Sequence, residues 1–234
     1  QWEAQLDSVL PTNNTLNSIA LFPNDDIAVT GTRDSVLFNL RKIFVQRISA
    51  SGQRLWSSMI DSVNVQDEGR DVTVSPLGDV AVTGQSGGTQ GAAVTAKLNG
   101  NTGALEWQAL YNPTNSTREG GIKVRFTPAG NVAMLCSGWS GFVNRWYTAQ
   151  YDGVSGSQQW AVGYSNVASE RIPSELLVLP DSTVVTAGTQ ISLNVIPNWD
   201  YVVVGYSSTG AQRFVNLFST PNLYPDRLHS ITSD

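Results

Sequence analysis

A chain of 234 residues with 41% hydrophobic and 14% charged side chains can bury a core, and its net charge of −5 is too small to describe a disordered polymer. No apolar run approaches the roughly 18 residues that a membrane-spanning helix needs. A single cysteine, Cys136, excludes an internal disulfide and a Cys-based zinc site, and 14 Lys plus Arg against 19 Asp plus Glu argue against a phosphate-tracking surface.

Two landmarks recur along the chain with one period. Trp2, Trp56, Trp107 and Trp160 are spaced by 54, 51 and 53 residues, and Phe214 follows after another 54. A glycine stands four positions before each of the last four, in Gly52-Gln-Arg-Leu-Trp56, Gly103-Ala-Leu-Glu-Trp107, Gly156-Ser-Gln-Gln-Trp160 and Gly210-Ala-Gln-Arg-Phe214. Pro23, Pro76, Pro128 and Pro180 are spaced by 53, 52 and 52, each followed three residues later by Asp26, Asp79, Asn131 or Thr183. Two features held in phase over four copies mark an internal repeat.

In chain order, residues 1–12 read as the outer strand of a partial unit, and 13–61, 62–112, 113–165 and 166–219 as four whole units. Residues 220–234 read as the first strand of a further one. Each whole unit breaks into four short β-rich segments. In the second these are Asp71–Ser75, Val80–Thr83, Ala92–Leu98 and Leu105–Leu110, punctuated by Pro-Leu-Gly-Asp, Gly-Gly and Asn-Gly-Asn-Thr-Gly. No sustained helical period appears. The expected fold is all-β, a β-propeller of four-stranded antiparallel blades of about 51–54 residues. The ends out of phase with the blades suggest a segment of a longer chain, with further blades or copies at the open sheet edges.

Leu98-Asn-Gly-Asn-Thr-Gly-Ala-Leu-Glu-Trp107 and Tyr151-Asp-Gly-Val-Ser-Gly-Ser-Gln-Gln-Trp160 resemble the outer-strand motif of quinoprotein-like (PQQ-like) propeller repeats. Gly78-Asp-Val-Ala-Val-Thr-Gly84 is similar to the second strand of SBBP-type secreted propeller repeats. The resemblance implies a scaffold. Quinone-dependent dehydrogenases of that family use a complete ring, bound calcium and commonly a vicinal cysteine pair, and none of those site residues can be carried over to this sequence. No cofactor or metal is expected.

If Pro-x-x-Asp joins strands one and two, and Gly-x-x-x-Trp joins three and four, both turns fall on one face of the disc. The variable loops 85–92, 137–144 and 189–198, with 61–69, 111–120, 164–173 and 219–226, then share the opposite face, where binding residues are expected. The periodic tryptophans are expected to pack between blades. Outside the period, Trp139 and Phe142 lie in one such loop and Trp199 in another, with polar neighbours Asn144, Arg145, Asn198 and Asp200. Trp139, Phe142, Asn144, Trp199 and Asp200 form the candidate ligand-binding set, suited to carbohydrate or protein. His229, the single histidine, lacks a nucleophile motif and reads as structural. The acidic pairs Asp25-Asp26 and Asp67-Glu68 lack calcium-loop spacing and read as solvated turn residues. Cys136, in the place of Gly31 and Gly84, reads as a small buried hydrophobe.

Asn13-Asn-Thr15 and Asn115-Ser-Thr117 are glycosylation sequons on the loop face, and 3 lysines suit an extracellular surface. The sequence therefore points to a binding or structural module of a larger secreted or cell-surface protein, such as an adhesin, glycan-binding or fibre subunit. It would engage protein or carbohydrate, and neither nucleic acid nor the membrane interior. The alternative is the propeller part of a quinoprotein-like oxidoreductase or glycan-active enzyme.

Overall fold

The computed structural model describes residues 14–35, 40–60, 66–87, 91–113, 117–140, 143–164, 169–192, 198–219, 228 and 230–232. Trp2, Asn13, Asn115, Phe142 and His229 lie outside them.

Four four-stranded antiparallel sheets follow one another along the chain. The first is β1 (Asn14–Leu21), β2 (Ile27–Ser35), β3 (Leu40–Ile48) and β4 (Arg54–Ile60). The second is β5 (Glu68–Val74), β6 (Val80–Ser86), β7 (Ala92–Leu98) and β8 (Leu105–Tyr111). The third is β9 (Thr117–Phe126), β10 (Val132–Ser140), β11 (Val143–Tyr151) and β12 (Gln158–Tyr164), and the fourth β13 (Ser169–Val178), β14 (Val184–Ser192), β15 (Asn198–Tyr206) and β16 (Gln212–Phe218). No helix occurs among the described residues. The sheets are propeller blades: the first strand of each later blade packs against the first three strands of the blade before it.

The core lies between blades. Val72, Val80, Val82 and Leu98 of the second meet Phe22, Ala28 and Ile60 of the first. Val124, Met134 and Cys136 of the third meet Ala81, Ala93 and Trp107 of the second, and Leu176, Val202 and Tyr206 of the fourth meet Leu135, Trp146 and Trp160. Alternation along the strands feeds both faces of each inner blade, so every second residue belongs to one interface and its neighbours to the next.

The recurring aromatic latches these interfaces. The indole N–H donates to a carbonyl in the β3–β4-type turn of the following blade: Trp56 to Gly100 at 2.7 Å, Trp107 to Gly153 at 3.2 Å, Trp160 to Ser208 at 2.9 Å. The motif glycine of that turn covers the ring. A Cβ on Gly103, Gly156 or Gly210 would come within 2.7, 2.7 and 2.8 Å of Trp56, Trp107 and Trp160, and all three have positive φ. Gly103–Trp107 and Gly156–Trp160 therefore each receive an aromatic with the glycine and hand one on with the tryptophan. Phe214 departs from this: its ring lies over Gly205 of its own blade, 2.2 Å from where a Cβ would stand, and Gly205 occupies the position of Arg47, Lys97 and Gln150.

Each first strand carries a bulge, at Asn17, Arg70, Ile122 and Ser174. Beside it, β2-type strands place Gly31, Gly84, Cys136 and Gly188. A Cβ on Gly31 or Gly84 would overlap the Thr15 or Glu68 carbonyl oxygen, at 1.8 and 1.9 Å, while Cys136 is admitted opposite Gly121. Asp71 then ties three first strands together, accepting from Ser18 Oγ at 2.9 Å, the Val124 N–H at 2.9 Å and Arg125 Nη1 at 2.7 Å.

Three expectations need correction. In the stretches 137–144 and 189–198 the described residues are hairpin strand, since β10 runs to Ser140 and β11 begins at Val143, while β14 runs to Ser192 and β15 begins at Asn198. Asp26 is not solvated: it is 6% exposed and holds Arg47 at 2.7 Å. Asp67 is wholly buried where the chain enters the second blade, its N–H donating to the Arg41 carbonyl at 3.1 Å.

The first blade shows an apolar face. Ile19 is 59% exposed, whereas Val72, Val124 and Leu176, at the same place in the later blades, are 3%, 0% and 0% exposed because a preceding blade covers them. Leu21, two residues on, is 69% exposed.

Candidate functional site

Bonds within and between turns tie the turn face together. In the β1–β2-type turns, Ser75 Oγ accepts from the Asp79 N–H at 3.0 Å and Thr127 Oγ1 from the Asn131 N–H at 3.1 Å. Asp26 accepts from Arg47 and the Ala50 N–H, and Lys97 bridges Asp79 and Glu106. A shallow, mostly apolar groove of about 340 Å³ lies there between Pro76-Leu77 and Phe126-Thr127-Pro128. Its polar atoms are already used within their turns.

The loop face differs. Two residues before the first-strand position that pairs with Gly31, Gly84, Cys136 or Gly188 stand Asn14, Asp67, Glu119 and Arg171. One repeat position thus carries a polar or charged side chain in every blade, on the innermost strands at the loop end. Asp67 and Glu119 are wholly buried and Arg171 is 3% exposed. Charges are kept this far from water only where something compensates them.

Arg171 lies 5.0 Å over the Tyr164 ring, and the Tyr164 hydroxyl donates to Gln190 Oε1 at 3.3 Å. Burial lowers the Arg171 pKa, and the nearby like charge of Arg145 lowers it further, against an opposing contribution from Tyr164. Glu119 is tied by its backbone, the N–H donating to the Gly91 carbonyl at 3.0 Å. Both its carboxylate oxygens are buried and have no hydrogen-bond donor. Around it lie the Tyr111 and Tyr147 rings, 5.9 Å apart edge to face, and Cys136. Burial, then the Glu119 charge, pushes the Cys136 thiol far above its ordinary range, so this cysteine is an inert core group.

The sequence-derived candidates occupy the same face in two separate hairpins. Trp139 and Asn144 are half-buried cross-strand partners on β10 and β11. Trp199 is half-buried on β15, paired with Ile191, and Asp200 is 6% exposed and paired with Gln190. Arg145 pairs with Gly138 on β10, and its Nε is buried without a hydrogen-bond partner. Arg145 and Asp200 hold equivalent third-strand positions in neighbouring blades; Arg145 repels Arg171 across the blade boundary, which Tyr164 bridges through its contacts with Arg171 and Gln190. Sequence reasoning did not single out Glu119 or Arg171; the recurrence of a polar residue at one phase of the first strand was the signal that could have found them. Among the described residues no group of three or more His, Cys, Asp or Glu is placed to hold a metal, and no helix is long and apolar enough to cross a membrane.

No protein-family model and no curated protein sequence matches the chain. Solved structures do match in fold. The chain is similar to the subtype N11 neuraminidase-like protein of H18N11 from a flat-faced bat, with TM-score 0.56 and 9% identity, covering 92% of this chain and 58% of that one. It is similar to the quinohemoprotein alcohol dehydrogenase of Comamonas testosteroni, with TM-score 0.57 and 12% identity over 92% of this chain and 37% of that one. Kuenenia stuttgartiensis hydrazine synthase matches with TM-score 0.57 and 10% identity over 95% and 71%. The chain thus spans about 58% and 37% of the length of the first two, and the shared property is the propeller fold.

Proposed function

We propose that this chain is a ligand-binding β-propeller module, displayed outside the cell, that takes its ligand on the loop face beside the innermost strands. The observation that carries this reading is the contrast between the two faces. The turn-face charges are paired, Asp26 with Arg47 and Lys97 with Asp79 and Glu106, whereas the loop face gathers Asn14, Asp67, Glu119 and Arg171 at one repeat position, with buried polar atoms of Glu119 and Arg145 left unbonded. Trp139, Asn144, Trp199 and Asp200 border that position from the hairpins, and Phe142 extends the set outside the described residues. The sequons at Asn13 and Asn115 support the extracellular assignment. The motif likeness to quinoprotein-like and SBBP-type repeats supports placing the blades in that repeat class, and the bare Ile19–Leu21 face supports a further blade of the same type packed against β1.

A second reading rests on Glu119 alone. A buried carboxylate without a donor is the kind of group that general acid–base chemistry uses, which favours a glycan-active enzyme over a redox one. A glycan array and pull-down with cell-wall material test the binding reading, and retention of nothing by the chain or its parent protein would overturn it. Release of reducing sugar from a bound glycan would move the assignment to the enzyme.

A further inference from the structure

Glu119 and Arg145 stand on the two strands that flank β10, on either side of Gly138. Arg145 is the direct partner of Gly138, and Glu119 lies between the Gly120–Ser137 and Thr117–Trp139 pairs. Alternation along β11 puts Arg145 on the face of Tyr147, which packs with Met134 and Cys136 toward the second blade. Glu119, two residues before Gly121, shares that face, in electrostatic contact with Cys136 and Tyr111. Two strand spacings separate the backbones by about 9–10 Å. The residue between them has no side chain.

Opposite charges so placed would be expected to pair. They do not: both Glu119 oxygens and Arg145 Nε are buried and unbonded, and the neighbouring arginine Arg70 bonds instead to Glu68 at 3.2 Å and Gln85 at 2.7 Å. Arg70 also crosses directly over Gly120, its Nη1 2.2 Å from where a Cβ would stand, which walls the inner side. Arg171 beyond Arg145 adds positive potential. The arrangement offers a guanidinium fork to an anionic group and a carboxylate to a hydrogen-bond donor on the same molecule, with tyrosine rings alongside.

Resting on the binding reading above, we propose that Arg145 and Glu119 form a site for a hydroxylated carboxylate, of which a uronic acid residue is the simplest carbohydrate form: the carboxylate bonds the Arg145 guanidinium and a hydroxyl donates to Glu119. A neutral hexose lacks the first contact and an alkyl carboxylate the second.

The test is calorimetric titration of the whole chain with glucuronate and galacturonate, alongside glucose, acetate and inorganic phosphate. Saturable uronate binding is expected, weakened at least tenfold in Arg145→Ala, recovered in part in Arg145→Lys, and weakened at least fivefold in Glu119→Gln, with each variant's unfolding transition recorded to confirm that it is folded. Equal binding of glucose, or uronate binding indifferent to both substitutions, overturns the site while leaving the module reading standing. Binding of phosphate as tight as uronate reduces it to a simple anion site and overturns the role of Glu119. Retention of no glycan or protein of any kind defeats the module reading itself.

Discussion

The indole N–H of Trp107 crosses a blade boundary to donate to the Gly153 carbonyl at 3.2 Å, and the ring it carries lies against Gly156 and 6.0 Å from Tyr151. Removing such a ring empties part of the interface as well as deleting the bond. Trp160→Ala is expected to cost about 3–5 kcal/mol and Trp107→Phe about 1 kcal/mol in urea unfolding. A smaller loss for the alanine than for the phenylalanine variant would show that the latch does not hold the blades.

Gly156 is the receiving half of the same contact. It has φ 70, and a Cβ there would sit 2.7 Å from the Trp107 ring, so Gly156→Ala combines left-handed strain with a clash against a packed aromatic. The expected loss is about 2–4 kcal/mol, from roughly 1–2 for the backbone and the rest for overpacking. At Gly78, with φ 88 and open space around a Cβ, only the backbone cost remains, about 1 kcal/mol for Gly78→Ala. Comparing the two midpoints separates sterics from conformation.

Two β1–β2-type turns place a non-glycine residue in that left-handed position, Asp25 at φ 65 and Ser182 at φ 64, where the other two blades have Gly78 and Gly130. Ser182→Gly is expected to raise stability by about 0.5–1 kcal/mol, relief of strain exceeding the chain-entropy cost of glycine. A lower thermal midpoint would refute this.

The arithmetic of the repeat made the blades readable, because Pro, Gly and Trp each do a mechanical job that must recur once per blade. The direction of the Trp56, Trp107 and Trp160 contacts, toward the following blade, is seen only in the structure. The site was less legible. Glu119 and Arg171 come from dissimilar residue types at one phase, and only the strand register shows that Asn14, Asp67, Glu119 and Arg171 are equivalent. Asp26 and Asp67 read as turn acids because composition does not say that Arg47 folds onto one and that a bridge between Arg41 and Gln66 brings the chain in beside the other.

Acid will act partly through Asp26. Burial opposes its ionisation, but hydrogen bonds from Asn24, Arg47 and the Ala50 N–H outweigh burial and hold its carboxyl below the ordinary aspartate value. A group depressed in the folded state contributes stability above the unfolded pKa of about 4 and loses it as pH falls through the lower folded value. Asp26→Asn should lower the urea midpoint at pH 6, leave the Arg47 guanidinium 12% exposed without its counter-charge, and flatten the decline below pH 4. An unchanged acid limb would mean that other carboxyls, such as Asp181 at about 2, dominate it.

Exposure of Ile19 makes it replaceable where its equivalents are not. Ile19→Lys is expected to cost under about 0.5 kcal/mol in this chain, and Val72→Lys to prevent folding. In a longer parent protein, a large loss from Ile19→Lys would report a blade seated on β1.

The five residues from glycine to tryptophan close one seam and open the next, so the rim of the molecule works like a row of overlapping shingles. Copying one whole repeat, cut anywhere, yields a new seam already supplied with both its donor and its acceptor. Evolution could therefore lengthen or shorten such a disc by unequal crossing-over without inventing a single contact, and an engineer splicing blades from different sources need match only the tryptophan of one to the turn of its neighbour.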